Sequence, residues 1–251
     1  MAEKHLSTSK TGSTQETIKQ KGSFFAQNDF FRLLSVQELD ELERTVTRLS
    51  CPPGRILYRP GEAGSALFFV HTGCVQLYHL STDGRKLITA TLTAGACFGE
   101  LPLLCQGPHH SFAEAVAESE LYVILKNELE HLLQQHALLT LALLRLIGQR
   151  FLQLETQLVD TAFKSTGARL AALLLELAQP GEDVASPLEV AGLSHEELAE
   201  RLGVYRETVS AALRDLKGAG AIALGRKKIT LTKPERLAEI ATVGNKGNRI
   251  S

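Results

Sequence analysis

No two cysteines in this 251-residue chain stand in a C-x-x-C spacing; Cys51, Cys74, Cys97 and Cys105 are scattered along it. The scatter argues against a zinc ribbon or a thioredoxin-type redox site and leaves four thiols expected to stay reduced in a cytosolic protein. The N-terminal stretch lacks the apolar core of a secretory leader, and no run reads as long and uncharged enough to cross a bilayer. Metal-ligand spacings, a phosphate-cradling glycine loop and a nucleophile motif are missing too; Gly218-Ala-Gly220 sits at a turn rather than between a strand and a helix. These absences leave no basis for reading an enzyme.

What is present is enough apolar material, 44% of residues, for two ordinary domains. Residues 1–22 are rich in Ser, Thr, Lys, Gln and Gly and read as a disordered tail; residues 241–251 read as a second flexible end. Phe24 to Leu34 and Val36 to Leu49 are expected as short helices, the second opening on Ser35 with Glu38 in capping-box position. From Cys51 to about Leu125 the texture changes to short β-rich runs punctuated by glycine: Ala66 to His71, Cys74 to Leu80, Leu87 to Leu92, Ala113 to Ala117 and Glu120 to Leu125. Ser-Thr-Asp-Gly at 81–84 is a hairpin turn. Short strands at this spacing predict an antiparallel sandwich or barrel such as a jelly roll.

From Asn127 the pattern turns helical. Leu144, Ile147, Phe151, Leu154 and Leu158 recur at alternating intervals of three and four, with polar residues around them. This is an a/d seam, suited to pairing two copies of the chain or to packing on the domain's own sheet. A further helix is expected over Thr166 to Leu177, and a surface turn at Gln179-Pro-Gly-Glu-Asp.

Residues 193–216 hold two short amphipathic helices joined at Gly203. Leu193, Leu198, Ala199 and Leu202 mark the first; Val209, Ala212, Leu213 and Leu216 mark the second. Ser194 with Glu197 forms a capping box, and Gly203 supplies the left-handed C-cap. The second helix opens with Tyr205, Arg206, Glu207 and Thr208 and carries Ser210 and Arg214 on its polar face, which is the pattern of a helix-turn-helix with its recognition helix. Ala221 to Leu224, Gly225-Arg-Lys-Lys and Ile229 to Thr232 then read as a two-stranded wing with a basic tip. Net charge over the whole chain is −1. Between Arg201 and Lys233, however, eight Lys/Arg face two acids, a local charge of +6 suited to phosphates.

The order of these parts resembles the Crp/Fnr superfamily of bacterial transcription regulators. The resemblance rests on the glycine-punctuated sheet, Phe98-Gly99-Glu100-Leu101, Gly167-Ala-Arg169-Leu170-Ala171 and Arg206-Glu207-Thr208-Val209-Ser210. It covers about Phe24 to Ile240. It implies an α+β chain: a jelly-roll sensor domain, cyclic-nucleotide-binding-like, over 23–126, a dimerisation helix over 127–162 and a winged helix-turn-helix over 163–240. It further implies a cytoplasmic, nucleoid-associated homodimer that binds double-stranded DNA at a near-palindromic site and meets RNA polymerase, as an activator rather than a repressor, with no membrane partner. The other reading is a cyclic-nucleotide- or small-anion-binding module that acts through a protein partner.

Arginine can offer two donors to guanine and glutamate can accept from cytosine, so Arg206 and Glu207 are expected to read bases, with Ser210 secondary. The resemblance implies the same, although Ala211 stands where the family often has a further arginine. Ser194 and Thr208 suit phosphate contacts; Arg214, Lys217, Lys227 and Lys228 add sequence-independent attraction, and Tyr205 is grouped with them at the helix start.

For the effector, the resemblance points to Gly99, Glu100 and Leu101, with His110 and Ser111 where cyclic-AMP-binding relatives carry an Arg-Ser pair, and to Arg150 and Glu155 on the long helix. Imidazole does not replace a permanent guanidinium for phosphate capture, which argues against tight cAMP binding. Glu100 could instead pair with Arg150. Residues 1–50 hold no cysteine, against the iron–sulfur cluster of the oxygen-sensing members, and the histidines give little ground for haem. The Arg150–Glu155 spacing resembles that of the 2-oxoglutarate-binding nitrogen regulators, though their sheet-loop arginine falls at Ser111. An effector-free regulator also fits.

Overall fold

The computed structural model describes residues 24–28, 30–31, 34–180 and 187–242. The tail expected at 1–22, residues 243–251 of the end expected at 241–251, and most of the turn expected after Gln179-Pro180 lie outside the described residues; residues 241 and 242 belong instead to the last helix.

The helix expected from Phe24 to Leu34 is one turn, 24–27. Asn28 stops it: its Oδ1 accepts the Phe30 N–H and its Nδ2 donates to the Gly95 carbonyl, each at 3.0 Å. This is the local competition with helix that asparagine is suited to make. Helix α1 (Val36–Thr45) starts on the expected Ser35–Glu38 box but ends four residues before Leu49. The β-branched run Thr45-Val46-Thr47 favours extended backbone, and strand β1 (Thr47–Cys51) begins there.

The strands that follow are β2 (Ile56–Tyr58), β3 (Ala66–Thr72), β4 (Val75–Leu80), β5 (Lys86–Leu92), β6 (Cys97–Phe98), β7 (Phe112–Ala115) and β8 (Ser119–Leu125), with a short helix α2 (Glu100–Cys105) between β6 and β7. They form two four-stranded sheets, β1-β8-β3-β6 and β2-β7-β4-β5. The pairings β1–β8, β3–β8, β3–β6 and β2–β7 are antiparallel. Strands β3, β4, β5, β7 and β8 were expected; β1, β2 and β6 were not.

The helical region expected from 127 is two helices, α3 (Lys126–Gln135) and α4 (Ala137–Phe163), broken at His136. The His136 backbone leaves the helical region, and its Nδ1 lies 3.0 Å from the Glu38 carboxylate. Helix α4 corrects one expectation: its 27 residues and a best-window mean hydropathy of 1.3 make it long and apolar enough to cross a membrane by length and composition. Arg145, Arg150, Glu155 and Asp160 are spread along it, which suits an apolar stripe on a water-facing helix rather than a lipid-facing span.

Next come α5 (Thr166–Leu177), β9 (Gln179–Pro180), β10 (Leu188–Ala191), α6 (His195–Leu202), α7 (Arg206–Gly218), β11 (Ile222–Gly225), β12 (Lys228–Leu231) and α8 (Pro234–Thr242). Gln179–Pro180, expected in a turn, pairs instead with β10, which joins the wing in a sheet of order β11-β12-β10-β9.

The chain divides into two compact units, Met1–Leu77 with Ala90–Gly148, and Tyr78–Thr89 with Gln149–Ser251. The first has an aromatic core in which Phe31 lies 4.9 Å from Phe25 and 4.8 Å from Phe69, ring centre to ring centre, beside fully buried Leu67, Tyr122 and Ile124. The second packs Leu170 and Leu174 of α5 against Leu198, Val209, Leu213, Leu216, Ile229 and Leu237. That core holds α7 by its apolar side and leaves its polar side to solvent.

Candidate nucleic-acid interface

Helix α6 is set by its ends. Ser194 Oγ accepts the Glu197 N–H at 3.1 Å, the Glu197 carboxylate accepts the Ser194 N–H at 2.7 Å, and Gly203 closes the helix at φ +66°. A third device escaped the sequence reading: Arg169 of α5 donates to the Leu202 carbonyl at 2.6 Å, capping the last turn of α6 with a charge. Burial holds the Arg169 guanidinium below its ordinary pKa, with Asp160 opposing. A lone arginine in the otherwise apolar run 168–175 was the available signal.

Helix α7 turns Val209, Ala212, Leu213 and Leu216 into the core. Arg206, Glu207, Thr208, Arg214 and Lys217 are exposed. Among the described residues neither Arg206 nor Glu207 is held in an ion pair, so both head groups stay available to a ligand. At the wing tip Lys227 adopts φ +58° in the tight turn and is exposed.

Four of the expected DNA contacts are engaged inside the protein. The Ser194 hydroxyl donates to Glu197 Oε2 at 2.9 Å, besides serving as the cap. Ser210 Oγ lies 2.9 Å from His195 Nδ1. The Lys228 ammonium is held by Glu189 of β10 at 2.9 Å, and Thr230 donates to the same carboxylate at 3.1 Å. Those bonds, Lys228 first, keep the Glu189 carboxyl below the usual carboxylate range. Lys228 is therefore corrected from a free wing cation to half of an ion pair across β10 and β12. Tyr205 is N-cap of α7, and its hydroxyl lies 3.3 Å from Asp83 while the Arg85 guanidinium sits 4.6 Å over its ring. Lys86 reaches Glu200 at 3.7 Å, and burial raises the Glu200 carboxyl. The turn at 81–84 was expected, but nothing local marked Asp83 and Arg85 as partners of Tyr205.

In the first unit, Gly99 caps α2 at φ +88°, and a β-carbon there would come within 2.8 Å of the Ala66 carbonyl, so the position needs glycine. Glu100 is 2% exposed, whereas Leu101 is 51% exposed. His110 is exposed and Ser111 half-buried. The imidazole that enters the fold is its neighbour: His109 is 6% exposed and stacked on Tyr58 at 3.5 Å between ring centres. Burial lowers the His109 pKa against the opposing pull of Glu62 and Glu100, with His110 adding to the lowering. Its main chain pairs with Gly61 and Glu62, at 2.9 and 2.8 Å. Arg150 is half-buried and Glu155 exposed; both belong to the second unit. Among the described residues no cluster of three or more His, Cys, Asp or Glu could hold a metal ion. Cys51, Cys74, Cys97 and Cys105 are free thiols, and burial raises that of Cys51.

The residues expected as a seam lie on α4, where Leu152, Val159 and Phe163 are exposed as well. Leu144, Phe151, Leu154 and Leu158 are exposed, at 60%, 66%, 53% and 70%, while Ile147 packs partly on the core of the first unit.

Comparison with known proteins places both parts. A model of the cyclic nucleotide-binding domain matches residues 48–136, and one of the Crp-like helix-turn-helix domain matches residues 168–240. The cyclic AMP receptor protein of Thermus thermophilus is 30% identical over 211 residues, covering 84% of this chain and 95% of that one. The global nitrogen regulator of a Nostoc species is 31% identical over 188 residues, covering 73% of this chain and 84% of the relative. Among solved structures, FixK2 of Bradyrhizobium japonicum matches with a TM-score of 0.65 at 25% identity, over 79% of this chain and 98% of that one.

Proposed function

The chain belongs to the Crp/Fnr family of transcription regulators, and from that premise we propose that it acts as a homodimer that reads a near-palindromic operator through Arg206 and Glu207. One observation carries this reading: the first turn of α7 presents both head groups, exposed and without an ion pair among the described residues, from a helix whose opposite face is locked in the core. Two such helices about one DNA turn apart, ~34 Å, fit successive major grooves. Arg214, Lys217 and Lys227 supply phosphate attraction that weakens steeply with salt, and Thr208 suits a phosphate contact through its hydroxyl and backbone N–H. The exposed leucines and Phe151 of α4 are the faces that pair. The proposal extends to a cytoplasmic, nucleoid-associated, non-enzymatic protein that activates transcription through RNA polymerase.

For the effector, we propose a small molecule other than cAMP, or none. Exposed His110 at the position where relatives place an arginine, beside buried His109, offers no permanent cation to a cyclic phosphate. A small anion such as 2-oxoglutarate remains within this reading.

The test is a pair of substitutions. Arg206→Ala should weaken binding to the selected operator by about 1–3 kcal/mol and relax one base pair per half-site, while Lys227→Ala weakens operator and random DNA alike. Gel-shift titrations on both DNAs measure this. An Arg206→Ala loss that is equal on operator and random DNA would remove the base-reading role.

A further inference from the structure

Ser210 stands four residues after Arg206 and four before Arg214, on the side of α7 that carries both arginines. Its hydroxyl oxygen lies 2.9 Å from Nδ1 of His195, the first residue of α6. Both residues are half-buried, and the bond between them is partly buried. The apolar contacts of Leu198, Val209 and Leu213 already hold the two helices together, so the polar pair is not needed to join them.

The chemistry of the pair has two states. A serine hydroxyl has one proton to give and lone pairs that accept; an imidazole nitrogen is either bare or protonated. A bare Nδ1 accepts the hydrogen bond of the Ser210 O–H, and the hydroxyl then offers DNA only lone pairs. In that state it accepts from amino groups, N4 of cytosine or N6 of adenine. A protonated Nδ1 donates to Oγ, and the serine proton is freed for an acceptor such as O6 or N7 of guanine or O4 of thymine.

We infer that His195 is a specificity-determining residue: through Nδ1 it sets the hydrogen-bond polarity of Ser210, and with it the base that Ser210 prefers. The inference rests on the reading of α7 as the base-reading helix and extends it to a residue of the preceding helix. His195 acts through Ser210 and is a positioning residue.

Operator selection from randomised DNA, with the full-length protein, tests it. Ser210→Ala should flatten preference at one base pair per half-site. At position 195 an aspartate only accepts and an arginine only donates, so His195→Asp and His195→Arg should move preference at that same base pair in opposite directions. A single neutral hydrogen bond contributes about 0.5–1.5 kcal/mol, a shift of roughly 2- to 10-fold each way. In a Ser210→Ala background the two variants should give the same preference. His195→Gln, neutral and similar in reach, should fall between them and serves where the charged replacements lower the melting temperature. Asp and Arg variants with one shared preference, or differences that persist without Ser210, overturn the inference. A wild-type protein that selects no motif overturns the base-reading helix and the inference with it; a wild-type motif with unmoved variants overturns the inference alone.

Discussion

His109 shows how one side chain ties stability to acidity. Its ring is stacked under Tyr58, and burial, the largest influence, keeps its pKa below the ordinary 6.5. The folded state therefore holds it neutral while the unfolded chain takes a proton near 6.5. Above that value the stacked ring costs nothing; as pH falls below it, the unfolded state binds the extra proton and stability declines, levelling off once the folded pKa is passed. His71 is shifted in the same direction, again by burial first. The melting temperature should thus be lower at pH 5 than at pH 7.5, and His109→Gln should lose less over that interval than the parent. Equal losses in scanning calorimetry would show that His109 does not set the slope. At this scale legibility follows sequence distance. The Ser194–Glu197 box and the Gly203 cap involve near neighbours and were readable. The partners of Lys228 and Tyr205 lie 39 and 122 residues away, and no local pattern announces them.

Helix α4 carries the prediction that belongs to elements. Fully burying a leucine or phenylalanine side chain is worth ~1.5–3 kcal/mol, and the proposed pairing would cover the exposed Leu144, Phe151, Leu154 and Leu158 of each chain. A carboxylate placed in the middle of that seam has no partner and a large desolvation cost. Phe151→Glu should convert a dimer at micromolar concentration into a monomer by analytical ultracentrifugation and lower operator affinity more than tenfold. A variant that stays dimeric would relocate the interface. Element type was largely legible wherever a run supplied its own periodicity, as in β3, β4, β8, α5, α6 and α7. It was not legible for β2, β6 and β9, which span only two or three residues and are strands only because a neighbour hydrogen-bonds to them. The overlong helix after Val36 had a related cause: amphipathic spacing continued past the point where β-branched residues made extended backbone cheaper.

For the molecule as a whole, the architecture was legible because the change of texture from glycine-spaced strands to long helical periods is global. The candidate effector pocket was less so. His109 and His110 lie in the loop before β7, where no periodicity says which of the two turns inward. Ligand response is the matching experiment. A true effector at about 100 times its dissociation constant should raise folding stability by about 2.7 kcal/mol. Differential scanning fluorimetry against cAMP, cGMP and 2-oxoglutarate reads this directly. The proposal expects no shift with cAMP at concentrations that saturate cAMP-dependent relatives, and a clear cAMP shift would overturn it.

The bare stripe on α4 has one more outcome, which concerns expression rather than shape. If two chains must meet before either grips its operator, the active species grows with the square of the chain concentration while monomers predominate. Doubling synthesis would then raise the competent pool about fourfold, so a modest change in the output of its own gene would be felt at its promoters as a threshold.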